Sequence, residues 1–137
     1  MADKLIVVCV PTFRRNTLLR QCLLSLDRLL TPEQHKIVIV IADNDRDETA
    51  RSLCAELATE INAPFHYFVQ AERGLSSVRN CLLDKAVDFD ADFVAFIDDD
   101  EQAEASWLVQ HIDNLRKYDA DVCSGPVRPV GSRYAPA

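Results

Sequence analysis

The sequence predicts an α/β fold: a doubly wound, mostly parallel sheet with helices on both faces. Short β-branched or aromatic runs recur along the chain. Stretches with apolar residues three and four apart separate them, and polar or acid-rich residues follow three of the runs. Strands that alternate with amphipathic helices imply parallel crossovers, and ligands of such sheets bind outside the carboxyl ends of the strands.

Residues 4–10 (KLIVVCV) and 36–42 (KIVIVIA) are continuous apolar runs without alternation, the pattern of strands covered on both faces. Between them Leu18, Leu19, Cys22, Leu23, Leu26, Leu29 and Leu30 recur at helical spacing. Asn16 or Thr17 is expected to cap that helix, and Thr31-Pro32 to close it. A second helix is expected over 47–61, carried by Ala50, Leu53, Cys54, Leu57 and Ile61, with a third strand at 65–69. Gly74-Leu75-Ser76-Ser77 supplies a turn and cap for a helix over 78–87, and residues 92–97 form a fourth strand. A helix over 107–118 with Trp107 as its core anchor comes next, then a short strand around 121–124. Residues 125–137 hold three of the six prolines and read as loop.

With 137 residues and 48% hydrophobic content the chain is expected to be a single domain with a real core. Fifteen basic against 22 acidic residues give a formal charge of -7, which argues against nucleic acid as a partner. The longest apolar stretch, 37–42, is far too short to span a bilayer, so a cytoplasmic chain is expected, with the inner membrane face a further possible location. Five scattered cysteines without C-x-x-C spacing suit small core residues in a reducing compartment. His35, His66 and His111 show no paired ligand spacing and read as structural.

In FVAFIDDDE, residues 93–101, an apolar strand runs into Asp98, Asp99, Asp100 and Glu101 with no basic side chain among them. Four adjacent carboxylates repel one another unless a cation or a solvated turn relieves them. Hard oxygen donors suit Mg2+ or Mn2+, and on an extended chain Asp98 and Asp100 would face one ligand together. A solvated helix N-terminus is the plainer alternative. A phosphate-binding P-loop is excluded, because the three glycines, Gly74, Gly125 and Gly131, cannot supply its pattern. A phospho-aspartyl site is disfavoured, because Pro11-Thr12-Phe13-Arg14 follows the first strand where acids would be needed.

Four stretches in order, VVCVPTFRRNTLLRQCLLSL, IVIADND, RGLSSVRN and FVAFIDDDE, resemble the nucleotide-sugar-binding portion of family 2 glycosyltransferases with the Rossmann-like GT-A fold. The resemblance spans nearly the whole chain. It implies transfer of a sugar from a nucleoside diphosphate sugar, UDP favoured, to a saccharide or lipid-linked acceptor hydroxyl. Transfer would invert the anomeric centre and be assisted by Mn2+ or Mg2+, in bacterial exopolysaccharide or cell-surface glycan synthesis. It further implies that Pro11, Thr12 and Phe13 line the base and ribose with Arg14 nearby, that Asp43 accepts a hydrogen bond from the base, and that Arg79 stands over the nucleotide. The D-x-D pattern falls on Asp98, near the ribose and metal, and Asp100, on the metal. Asp99 can substitute for either.

Domains of this family run past residue 137, so the chain is expected to be a truncated, donor-binding part that lacks the acceptor portion and the general base. Glu101 and Glu104 lie too close to the acid motif for that role, and no catalytic residue is identified. An apolar sheet edge left open in this way could pair with another copy. Two alternatives stand beside the enzyme reading: a donor-binding or interaction fragment without turnover, and a sugar nucleotidyltransferase, against which the glycine-free PTFRRNT counts.

Overall fold

The structure is a computed structural model and describes residues 2–129. Its four strands are β1 (Lys4–Thr12), β2 (His35–Asp43), β3 (Phe65–Val69) and β4 (Phe93–Phe96), and its helices are α1 (Asn16–Asp27), α2 (Arg51–Ala58), α3 (Leu75–Asp88) and α4 (Trp107–Lys117). All pairings are parallel, in the order β3-β2-β1-β4. The doubly wound fold is therefore present in full across the described strands.

The alternation of side chains along β1 and β2 divides the core. Ile6, Val8, Val10, Ile39 and Ile41 face α1, α2 and α4, against Leu19, Leu23, Leu57 and Ile112. Val7, Cys9, Val40 and Ala42 face α3, against Val78, Leu82 and Ala86. A strand covered on both faces must be apolar throughout, which is why KLIVVCV and KIVIVIA show no polar alternation. The chain order reverses between β1 and β4, so the crevice opens where these two strands end.

Three local expectations are corrected. Asn16 does not cap α1: it is the first helical residue, and its amide instead donates to the Thr49 carbonyl at 2.9 Å, joining the helix start to the loop after β2. Helix α2 begins at Arg51 rather than near 47, because the intervening residues form a hydrogen-bonded turn around Asp43 and Asp45. No strand forms at 121–124. Val122 is exposed, and the preceding residues turn back on α4 through the Ala120 N–H bond to the Leu115 carbonyl at 2.9 Å, so no neighbouring ladder is available. Residues 125–129 are irregular, as expected, and the rest of the proposed tail lies outside the described residues. Among the described residues no helix is long and apolar enough to cross a membrane.

Candidate functional site at the carboxyl edge of the sheet

The parallel register brings the ends of β1, β2 and β4 to one edge. Thr12 pairs with Asp43 across β1 and β2, and β4 stops at Phe96, opposite Cys9. Pro11 lies just past that stop, so its missing N–H leaves no ladder bond to β4 unmade. Beyond β4 the acids lie in a turn rather than on extended chain. The Glu101 N–H bonds the Asp98 carbonyl at 3.0 Å, and the Glu101 carboxylate accepts the Asp98 N–H at 2.8 Å. That geometry replaces the extended-chain alternation expected for Asp98 and Asp100. Helix α4 starts only at Trp107, so the acids are not its first turn.

The turn sorts the three aspartates by environment. Asp99 is buried and points toward β1, where it accepts the Thr12 hydroxyl at 2.9 Å and the Phe13 N–H at 3.4 Å. Burial raises its pKa above the ordinary carboxylate value, an effect opposed by the Thr12 hydrogen bond and the Arg15 charge. Asp98 and Asp100 remain about half exposed, with side-chain exposures of 50% and 47%. Each faces an arginine from another element: Arg79 of α3 lies 3.5 Å from Asp98, and Arg15 lies 3.2 Å from Asp100 and 3.5 Å from Asp99.

The acids after β2 are built differently. Asp43 is fully buried, its oxygens accepting the Asp45 N–H at 3.1 Å, the Ala50 N–H at 3.0 Å and the Tyr67 hydroxyl at 2.6 Å. Burial, with the hydrogen bond to Asp43, holds the Tyr67 hydroxyl protonated well above its ordinary range. Asp45 is also buried. It is held by the Arg14 guanidinium at 2.9 and 3.3 Å and by the Thr49 hydroxyl, and these bonds depress its pKa well below the carboxylate range. Arg14 adopts φ 51, a left-handed conformation costing a non-glycine residue on the order of 1 kcal/mol, and its second contact to Asp47 at 3.1 Å helps to hold it there.

Asn44 completes the edge. Its amide donates to the Gln70 and Glu72 carbonyls at 2.8 and 2.7 Å and its oxygen accepts the Gly74 N–H at 3.0 Å, fixing the loop between β3 and α3. Gly74 itself sits at φ 137, a conformation that favours glycine. The loop delivers Arg73 onto Phe13, with the guanidinium carbon 3.4 Å from the ring centroid. A cleft of about 390 Å³ results, lined by Phe13, Arg14, Asp45, Arg46, Ala71, Glu72 and Arg73.

Of the expected ligand-lining residues, Phe13 and Arg14 line this cleft, and Arg79, Asp98 and Asp100 stand half-exposed or exposed at the acid turn. Pro11, Thr12 and Asp99 are buried and do not line the cleft. Asp43, expected to meet the base, is buried at the end of β2, where its carboxylate accepts loop N–H groups and the Tyr67 hydroxyl. Arg73 and Arg46 were not singled out from the sequence. Arg73 immediately before the Gly74 turn was the available signal, since a turn that needs glycine fixes where its neighbours project. Among the described residues no three acid, histidine or cysteine side chains converge as a ready-made metal cage.

Residues 7–135 match the sequence profile of glycosyl transferase family 2. The chain belongs to that family. The succinoglycan biosynthesis protein ExoM of Rhizobium meliloti is 35% identical over 127 residues, covering 93% of this chain and 39% of ExoM. Glycosyltransferase GlyA of Streptococcus pneumoniae is 27% identical over 125 residues, covering 91% of this chain and 17% of GlyA. The chain thus spans well under half of either relative. Staphylococcus aureus TarS (residues 1–349), solved with UDP, superposes with a TM-score of 0.68 at 19% identity, covering 87% of this chain and 33% of that one. TarS with UDP-GlcNAc gives a TM-score of 0.63 at the same identity. These likenesses establish the GT-A fold for the family 2 chain.

Proposed function

We propose that residues 1–137 are the donor-binding part of a glycosyltransferase that moves a sugar from a nucleoside diphosphate sugar to an acceptor hydroxyl with inversion, assisted by Mn2+ or Mg2+. The single observation that carries this reading is the acid turn fastened by the Thr12–Asp99 bond at the point where the strand order reverses. It sets two half-exposed carboxylates and two arginines on the same edge as a cleft with an aromatic wall. The 35% identity to a succinoglycan biosynthesis protein supports a role in exopolysaccharide or surface-glycan synthesis, with a saccharide or lipid-linked acceptor. The UDP and UDP-GlcNAc complexes of TarS support a UDP-sugar donor.

Each residue's part follows from its surroundings. Phe13 offers a ring face for a base, and Arg73, already stacked on that face, either shares the base or gives way to it. Arg79 and Arg15 supply planar donor forks for diphosphate oxygens, so that an anion arriving at the edge replaces the aspartates as their partner. Asp98 and Asp100 fit a hard divalent ion, because they are the accessible hard oxygens of the turn and Mg2+ sites commonly combine one or two carboxylates with substrate phosphates and water. When bound, such an ion neutralises the charge that builds on the departing nucleoside diphosphate. Asp99, Asp43 and Asp45 hold the framework. The base that deprotonates the acceptor is assigned to the part of the relatives that this chain does not span.

Titrating Mn2+ into the protein and counting free ion by its paramagnetic resonance tests the assignment. UDP should tighten Mn2+ binding in the wild type, and Asp100→Ala should abolish that tightening. Equal UDP-dependent uptake in the variant would place the ion elsewhere.

A further inference from the structure

We propose that Cys123 is a reactive thiol of this chain, a modification site for peroxide or small soft electrophiles, with His111 as the group that accepts its proton. In the structure His111 Nδ1 lies 3.0 Å from Cys123 Sγ, within reach for the thiol proton to be shared. The imidazole is held from two sides. Trp107, one helical turn earlier in α4, packs its ring edge-on at 5.9 Å and 86°, and the chain at Gly125 lies within van der Waals reach of the imidazole, where a Cβ would sit 3.5 Å away. The segment after α4 thus lies against the ring, with Cys123 at the nitrogen.

The other four cysteines lack this arrangement. Cys9, Cys22 and Cys54 are buried in the core, where burial pushes each thiol up to about 12. Cys81 is half-buried like Cys123, yet its thiol is also raised, chiefly by burial. Two cysteines of similar exposure thus differ in having or lacking a base at hydrogen-bond distance. The thiolate is the nucleophile, so that difference decides which one reacts.

Oxidation at this site balances without a further reagent. The S–H proton passes to His111 Nδ1, and the thiolate attacks one peroxide oxygen. As the S–O bond forms the O–O bond breaks, and the leaving hydroxide takes the proton from the imidazolium as water. Sulfur is oxidised to the sulfenic acid and the peroxide is reduced.

The test is limited alkylation of the folded, reduced protein with iodoacetamide at neutral pH, with each cysteine peptide quantified by mass spectrometry. Cys123 should label roughly tenfold faster than Cys81, and His111→Asn should bring it down toward the Cys81 rate, because the amide fills the place of Nδ1 without taking a proton. Peroxide followed by a dimedone probe should mark Cys123 in the wild type. Labelling of Cys81 as fast as Cys123 overturns the proposal, and this wild-type comparison stands even if the variant does not fold. An unchanged Cys123 rate in a folded His111→Asn protein, or a dimedone mark confined to other cysteines, overturns it equally.

Discussion

The carboxyl ends of β2 and β4 carry the same kind of residue in opposite states. After β2, Asp43 and Asp45 are buried and surrounded by donors that belong to the protein itself. After β4, Asp98 and Asp100 are half exposed and matched only by single, exposed arginine contacts. A carboxylate whose oxygens are occupied by backbone and side-chain donors builds a loop. One left facing solvent beside half-exposed guanidinium groups can exchange partners. Asp99 shows that the difference lies in surroundings and not in sequence, since it sits between the two exposed acids and behaves as a framework residue.

Breaking the β2 side should cost the most stability. Asp43→Ala would strand the Asp45 and Ala50 N–H groups and the buried end of Tyr67, a loss of roughly 3 kcal/mol measurable by urea unfolding. Removing the β4 acids should instead spare the fold. Asp98→Ala and Asp100→Ala are expected to shift stability by no more than about 0.5 kcal/mol, as for ordinary surface positions. The same variants should lower metal-dependent donor affinity by at least about tenfold, roughly 1.4 kcal/mol or more, in a binding titration.

Acid should act on the two regions with opposite sign. Asp45 has a folded pKa below its unfolded one, so its contribution is present above the ordinary carboxylate value of about 3.9 and is lost as pH falls toward the depressed one. Asp99 has a folded pKa above its unfolded one, so the folded state takes up that proton first and gains relative stability as pH falls through the raised value. Asp45→Asn should therefore flatten the acid-side decline of stability, and Asp99→Asn should steepen it, in melting scans across pH. The smallest expected effect belongs to Arg15→Ala. Its guanidinium is half exposed, its pair with Asp100 is exposed on both sides, and Asp99 keeps its Thr12 and Phe13 donors, so stability should fall by no more than about 1 kcal/mol while donor affinity falls a few-fold.

Much of this contrast lay beyond the sequence. The succession of strands and helices along the chain, the helical faces and the gathering of polar residues at one edge were legible, because continuous apolar runs and three-and-four spacing depend on local periodicity alone. Residues 65–69 matched β3, whereas β1 and β2 each ran on into the polar residues that the pattern had excluded, Thr12 and Asp43. Which of Asp98, Asp99 and Asp100 turns inward depended on the Thr12 hydroxyl, 87 positions away from Asp99, and no local rule contains that contact. Arg73 was missed for the same reason: its value comes from Phe13, brought to it by the Asn44 clamp. The strand expected at 121–124 had suitable residues but no partner ladder, which a single run of sequence does not disclose.

The most direct test of the difference between the two acid groups is calorimetric titration of UDP into the folded chain, first with Mn2+ and then with the metal chelated. Heat that requires the metal, is lost in Asp100→Ala and survives in Arg15→Ala at reduced affinity is the predicted result. Binding of UDP with equal affinity in the presence of chelator, or undiminished in Asp100→Ala, would contradict it.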